Sequence, residues 1–436
     1  MVDFSLSKSE ARVQYVARKF AVETLTAARS IYSTHEIYAK RFQVTRPFYK
    51  KAVLAGIIKA QIPTDLGGTS TNLVEIAILA EELYAIDPSV SLTILGTGLG
   101  LTPIILAYRP ELEEFLKPFL LQDGDPLASL VFTEPEGCAN WLEDGAPGLQ
   151  TIAYREGEDW ILNGEKTWAT NCAGWDFNGA DLQCVVCRCT EKDVMAKATC
   201  PEDLIMILLV TPLDIERSPG GSFQVLRHQQ ALGHTGVSGP HVKYTNLRLP
   251  AKNLLCPPGS GAAIVSASFG MSAALVGAMS TGIQRAIFNA ALDFCKRETR
   301  GGTAAIGNHQ SVADLLMNIK MRTEASSTRY LTWKATHSMS KSSSGQMDSL
   351  ELAMEAKIFC SEAAVKSALD AINAVGVSSY DTSLPFSGLL NDALVLPIFD
   401  GGNIGVRRRT LQRLLMAKGY DAWATIGTAS SDPCVD

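Results

Sequence analysis

The chain has 436 residues, more than one ordinary hydrophobic core accommodates, so two or three packed units are expected. Its residues are 46% hydrophobic, with 35 Gly and only 19 Pro, which excludes a disordered or fibrous chain. A formal net charge of -6, with no dominant basic face, excludes a general nucleic-acid binder. The first residues, Met1 to Ser7, lack the basic start and apolar core of a secretory signal, so a cytoplasmic protein is expected. Ser7 followed by Glu10 reads as a capping box opening an amphipathic helix. From there to about Asp123 the pattern is helical, with Leu73, Ile76, Ala77, Ala80 and Leu83 on one face. Lys59 to Pro63 and Asp65 to Gly68 read as a connecting loop. The apolar run from Ser89 to Ala107 approaches the length of a membrane span. It contains Gly96, Gly98, Gly100 and Pro103 and has no basic flank, so it predicts a buried helix and no membrane segment.

Near Asp125 the period changes. Leu127 to Phe132, Thr151 to Tyr154, Trp160 to Leu162, Leu182 to Arg188, Leu204 to Val210 and His241 to Thr245 are short strand-like runs separated by Gly, Pro, Asp and Asn. They predict a small antiparallel β unit, with Glu191 to Glu202 as an exposed loop. Cys184, Cys187 and Cys189 have a spacing that invites a metal. On a strand, however, residues three apart point to opposite faces, so buried thiols and no metal site are expected. After Cys256-Pro-Pro-Gly259 the helical period returns. Met271, Ala274, Leu275, Ala278, Ile283, Ile287 and Phe294 keep one long buried face, Val312 to Ile319 a second and Leu350 to Leu369 a third. Ser338 to Ser349 reads as a mobile Ser-rich loop and Thr425 to Asp436 as a frayed tail. The expected organisation is α+β and mostly α. It has an N-terminal α-helical domain (1–124), a central antiparallel β domain (125–256) and a C-terminal helical bundle (257–436).

Near the C-terminus Asp400 stands just before a helix expected to begin near Asn403, and Arg407 lies seven residues on. At 3.6 residues per turn Arg407 returns to almost the same face, and helical side chains lean toward the N-terminus, back toward Asp400. A cation and a helix N-terminus together suit a carboxylate and a developing anion. The residues alone also fit a plain helix cap followed by solvated arginines.

Four segments carry a wider signal: Phe132-Thr-Glu-Pro135, Asn163-Gly-Glu-Lys-Thr-Trp-Ala-Thr-Asn171, Pro250-Ala-Lys-Asn-Leu-Leu255 and Pro397-Ile-Phe-Asp-Gly-Gly-Asn403. In order and spacing they resemble the signature segments of the acyl-CoA dehydrogenase superfamily of flavoproteins. The resemblance covers nearly the whole chain. It implies that superfamily's fold, with a C-terminal four-helix bundle, and FAD lying between the β unit and the C-terminal helices. Thr133 and Thr170 match residues that hydrogen-bond the flavin ring, Leu130 lies beside Thr133, and Trp168 matches an indole that shields the ring. Arg300 and Gln310, with His309 beside them, fall where the family contacts the diphosphate and adenosine end from a neighbouring subunit. Gly376 matches a segment approaching that diphosphate, and Gly402 and Asn403 belong to the fourth motif. Sites shared in this way imply a homotetramer.

Asp400 falls where the main members of the superfamily carry a Glu base. A carboxylate one methylene shorter retracts by roughly 1 Å, and such a displacement can cost about a hundredfold in rate, so the exchange points to another substrate. Phe399 to Arg409, with Thr45-Arg-Pro-Phe-Tyr49, Ile58-Lys-Ala-Gln61 and Met271-Ser-Ala-Ala-Leu-Val-Gly277, resembles most closely the branch that oxidises small nitro compounds. There an Asp base takes the α-proton of a neutral nitroalkane and the carbanion adds to flavin N5. Nitrite then leaves, water attacks the resulting imine, and molecular oxygen reoxidises the flavin. The products are an aldehyde or ketone, nitrite and hydrogen peroxide. Asp400 and Arg407 match the base and its partner, and Ser272 is the candidate hydroxyl on the base. Read alone, Ser272 equally fits a helix hydroxyl bonded to its own backbone. An acyl-CoA dehydrogenase or oxidase acting on a thioester or other acidic C–H group is the alternative.

Overall fold

The computed structural model describes residues 5–325, 328–341 and 347–426. The chain starts as its first polar residues dictate. Ser7 N–H donates to Glu10 Oε2 at 2.7 Å and Glu10 N–H donates to Ser7 Oγ at 3.3 Å, capping the Lys8–Phe20 helix. By internal contacts the chain forms two units, one of Ala11–Thr71 and Ile86–Ser268, the other of Met1–Glu10, Asn72–Ala85 and Phe269–Asp436.

The first unit holds the sheet. Its strands are β1 (Ala128–Val131), β2 (Ile152–Glu156), β3 (Asp159–Lys166), β4 (Leu182–Cys189), β5 (Ile205–Val210), β6 (Phe223–Arg227), β7 (His241–Leu249) and β8 (Leu254–Cys256). They lie in the order β6-β7-β3-β2-β4-β5-β8, with β1 paired to β4. The sheet is mixed, which corrects the expectation of an antiparallel one: β1 and β2 both run parallel to β4. The pairings of β2 with β3, β3 with β7, β4 with β5, β5 with β8 and β6 with β7 are antiparallel. The segment expected as a loop at Glu191 to Glu202 contains a short exposed helix, Lys192–Lys197. The expected loop at Lys59 to Gly68 is two 3-10 turns, Lys59–Gln61 and Thr64–Leu66, closed by Gly67 at φ 84. Along β4, Val185, Cys187 and Cys189 enter one apolar cluster with Trp160, Met206 and Leu247. Cys184, on the opposite face, donates its thiol to the Gly100 carbonyl at 3.3 Å. The Cys184 and Cys187 side chains therefore point apart, as strand geometry requires.

Gly100 belongs to the Pro88–Leu106 helix, where a Cβ would stand 2.3 Å from Ser129 N. Its hydrogen atom lets that helix lie directly on β1. The helix and the Gly261–Arg297 helix have the length and apolarity of membrane spans, but the apolar windows are 67% and 61% buried inside the protein. Both read as core helices.

The second unit is helical. It contains the Gly261–Arg297 helix from Phe269 onward, then Gln310–Lys320, Thr328–Lys341, Met347–Val375, Phe386–Val395 and Arg408–Leu415. The Leu73–Tyr84 helix joins them although it precedes the sheet in sequence. Arg285 Nη1 donates to Glu81 Oε1 at 2.9 Å and Arg329 Nη2 donates to the same oxygen at 2.5 Å. The stretch Ser338 to Ser349, expected as a loop, is helical through Lys341 and again from Met347, and 342–346 lie outside the described residues. Of the tail expected to fray, 427–436 lie outside them as well.

Candidate active site

The fourth motif folds into a turn that no regular helix would give. Asp400 and Gly401 adopt φ values of 54° and 68°, two left-handed residues in succession. Asp is among the few side chains that visit this region, because its short polar group can hydrogen-bond locally. The chain then makes a π-helical turn, Asn403–Arg407, before the regular Arg408–Leu415 helix. This path brings Arg407 back onto Asp400: the expected pairing is present, but the left-handed turn and the π-helical segment produce it, not regular helical spacing. Its Nη2 donates to Asp400 Oδ2 at 2.9 Å and to the Asp400 carbonyl at 2.6 Å, and its Nε donates to that carbonyl at 2.9 Å. Nη2 also reaches the Phe269 carbonyl at 3.1 Å. The two side chains are only 6% and 4% exposed, so the pair is largely removed from screening water.

The other carboxylate oxygen has its own donor. Ser272, on the Gly261–Arg297 helix, donates its hydroxyl to Asp400 Oδ1 at 2.5 Å. Its contact to the Phe269 carbonyl is longer, 3.3 Å, so the alternative of a purely local helix bond is the weaker of the two. An acceptor-only carboxylate thus meets one donor on each oxygen.

Sequence reasoning missed Lys357, a wholly buried side chain on the Met347–Val375 helix. Its Nζ donates to the Leu396 carbonyl at 2.7 Å and to Asn403 Oδ1 at 3.0 Å. Burial pulls its pKa down to about 7; Asp400 opposes the shift, Arg407 adds to it and Glu362 opposes it. The signal was a single Lys within Ala356-Lys-Ile-Phe-Cys-Ser361, which by itself reads as one solvated position on an amphipathic helix. Asn403, expected at the cofactor, turns its amide inward instead: Nδ2 donates to Ser361 Oγ at 3.1 Å and Glu362 Oε1 at 3.2 Å. With both ends of its side chain engaged inside the helical unit, Asn403 serves the turn. Gly402 lies over the Ile398 carbonyl, 3.0 Å from the position of a Cβ.

In the sheet unit the first two motifs meet. Lys166 Nζ donates to Glu134 Oε1 at 2.9 Å and to the Phe132 carbonyl at 2.8 Å, and Glu134 also accepts from Gln150 N–H and Thr151 N–H. Burial alone would raise the Glu134 pKa. The Lys166 charge and the backbone donors outweigh it and hold the carboxyl below its ordinary value. The pair fastens the end of β1 to the end of β3, so that Thr133 carbonyl accepts from Thr167 N–H at 2.9 Å. The next residue, Trp168, adopts φ 60 and is left 56% exposed. Thr170 is fixed through its carbonyl, which accepts from Ser129 Oγ at 2.7 Å, and no protein partner takes its hydroxyl among the described residues. Leu130 is buried in β1 opposite Cys184. A largely exposed Trp168 and, two residues on, a Thr170 hydroxyl with no protein partner among the described residues suit a flat, polar-edged ring such as a flavin.

Arg300, at φ 54, donates to the Val375 carbonyl and so lies against Gly376, itself at φ 68. His309 and Gln310 are exposed at the start of the Gln310–Lys320 helix.

A helical start, a motif-bearing sheet and a long-helix unit that buries an acid define the class. Residues 7–120 match the acyl-CoA dehydrogenase N-terminal domain and residues 259–416 the acyl-CoA dehydrogenase C-terminal domain, and the chain belongs to the acyl-CoA dehydrogenase family. It is 54% identical to a nitroalkane oxidase from Podospora anserina over 97% of this chain and 98% of that one. It is 46% identical to a nitroalkane oxidase from Fusarium oxysporum over 99% of each. A solved nitroalkane oxidase, an active-site mutant crystallized with 1-nitrooctane, is 46% identical with a TM-score of 0.93, covering 99% of this chain and 100% of that one. Within the family the chain falls among the nitroalkane oxidases.

Proposed function

We propose that this protein is an FAD-dependent oxidase that converts nitroalkanes, water and molecular oxygen to aldehydes or ketones, nitrite and hydrogen peroxide. One observation carries the reading. A buried Asp400 is held between Ser272 and Arg407 in a chain about half identical to nitroalkane oxidases. FAD, when bound, supplies the electron-accepting ring, and oxygen is the final oxidant. The chain's residues manage the proton. Ser272 and Arg407 each occupy one lone pair on Asp400 and leave the remaining ones for the α-hydrogen of the substrate. The proton moves to an Asp400 oxygen, and the Arg407 guanidinium, still bonded to the Asp400 carbonyl, keeps the turn in place. Thr133, Trp168 and Thr170 hold the ring, with Leu130 behind them. Arg300, His309, Gln310 and Gly376 serve the diphosphate and adenosine end across a homotetramer. We further read the chain as three domains, 1–124, 125–256 and 257–436. Its unpaired cysteines suit a reducing compartment such as the cytoplasm.

The test is nitrite and peroxide release from nitroethane under air, paired with anaerobic flavin bleaching. Parent protein should release both and bleach rapidly. Asp400→Asn should lose bleaching by neutral nitroethane by at least about a hundredfold, as expected for removal of a general base, yet retain bleaching by the nitronate anion, which has no proton to give. Absence of nitrite from every short nitroalkane would overturn the proposal.

A further inference from the structure

The Asp400 turn begins at Leu396, just past the Phe386–Val395 helix, and ends at Asn403. Lys357 grips both ends, through the Leu396 carbonyl and Asn403 Oδ1. Asn403 in turn is held by Ser361 and Glu362, one turn further along the helix that bears Lys357, and Glu362 also takes Arg408 at 2.7 Å. Asn403 N–H closes the loop onto the Pro397 carbonyl at 2.8 Å. The charged groups facing Lys357 are Asp400 and Arg407 from the turn and Glu362 from its own helix. Arg407 therefore fastens Asp400 from one side, and Lys357 fastens the frame of the turn from another.

A wholly buried lysine without a carboxylate in direct contact is an expensive residue, since burial penalises its charge. A Met of similar volume would fill the space without that penalty. What a Met lacks is a pair of donors aimed at the two ends of one turn. The residue at the middle of that turn sits in a left-handed conformation that the surrounding structure must over-determine.

We propose that Lys357 is the positioning residue for proton abstraction: by tying Leu396 to Asn403 it fixes the backbone from which Asp400 reaches the substrate. This rests on the reading of Asp400 as the base. Lys357 touches neither carboxylate oxygen and acts through the turn. Its removal leaves two buried acceptors unsatisfied and lets Asp400 drift.

The experiment compares anaerobic flavin reduction by neutral nitroethane and by its nitronate in three flavin-loaded proteins: parent, Lys357→Met and Asp400→Asn. In Lys357→Met, reduction by neutral nitroethane should fall about ten- to a hundredfold, the scale of a displacement near 1 Å, while the nitronate rate changes by less than about threefold. A lysine that only supports the fold or the flavin site lowers both rates together, and an equal loss, or none, overturns the inference. Asp400→Asn separates the two claims. If it still reacts with neutral nitroethane at the parent rate, the base assignment itself fails whatever Lys357→Met does. Should Lys357→Met not retain flavin, the same rate ratio is read on Lys357→Gln, which keeps one amide donor. An unchanged ratio there overturns the inference as well.

Discussion

The guanidinium of Arg407 meets Asp400 twice, at its carboxylate and at its carbonyl, so it binds the side chain and the conformation that presents it. The pairing was legible from a seven-residue spacing; the route was not, because the sequence has no mark for a left-handed Asp or a π-helical turn. The Ser272 contact depended on resemblance, since 128 positions separate it from Asp400 and no local pattern spans them. Lys357 escaped because hydropathy assigns a lysine to water. Its burial has a measurable signature. Between about 7 and the ordinary lysine value of 10.5 the folded protein binds fewer protons at this site than the unfolded chain does. Stability contributed here therefore rises with pH across that window, and below it the full penalty of burying the ammonium applies. Urea midpoints of parent and Lys357→Met should differ least, or in favour of the variant, near pH 6.5. The parent should gain on the variant toward pH 9.5. A difference independent of pH would show that the lysine titrates normally.

Elements were read well where one face is apolar and poorly where burial uses small hydroxyls. The Thr328–Lys341 helix buries Thr328, Thr332, Ala335 and Thr336, a face that reads as polar. Thr332 and Thr336 each satisfy their hydroxyl on the carbonyl four residues back, at 2.6 and 2.9 Å, which makes the burial tolerable. The same blindness hid β6, whose side chains are mostly exposed, and β8, only three residues long. Strand direction was the other gap. β4 and β5 are both buried along almost their whole lengths, yet β4 has parallel neighbours and β5 only antiparallel ones, so a continuous apolar run did not fix strand direction. Gly100 shows the opposite case, a single residue that sets how two elements meet. In Gly100→Ala the new methyl has only β1 backbone to push against, and the protein should lose at least about 2 kcal/mol, readable as a lower denaturant midpoint. A neutral result would mean that the Pro88–Leu106 helix shifts freely on β1.

At the scale of the whole chain, the order helices, strands, long helices was plain from changes of period, and the motif order gave the family before any coordinates. What pattern cannot reveal is which distant segments pack together. If Arg300 and Gln310 attend a neighbour's cofactor, flavin retention should follow assembly. Dilution should release subunits and flavin together, and Arg300→Ala should do so at roughly tenfold higher concentration, in line with the loss of a charge-assisted hydrogen bond. Sedimentation combined with flavin fluorescence measures both; dispersed subunits that keep their flavin would sink the idea. The Leu73–Tyr84 helix has a different consequence. Apart from Ser9, whose hydroxyl donates to Glu75 at 2.6 Å, it packs with partners that begin near Phe269, so on the ribosome it emerges well before most of what it joins. At about 5–20 residues per second, an interval of roughly 200 residues leaves its apolar face waiting for about 10–40 s. During translation that wait makes this one short helix the natural client for a chaperone, and neither unit can be produced as an unbroken fragment of the gene.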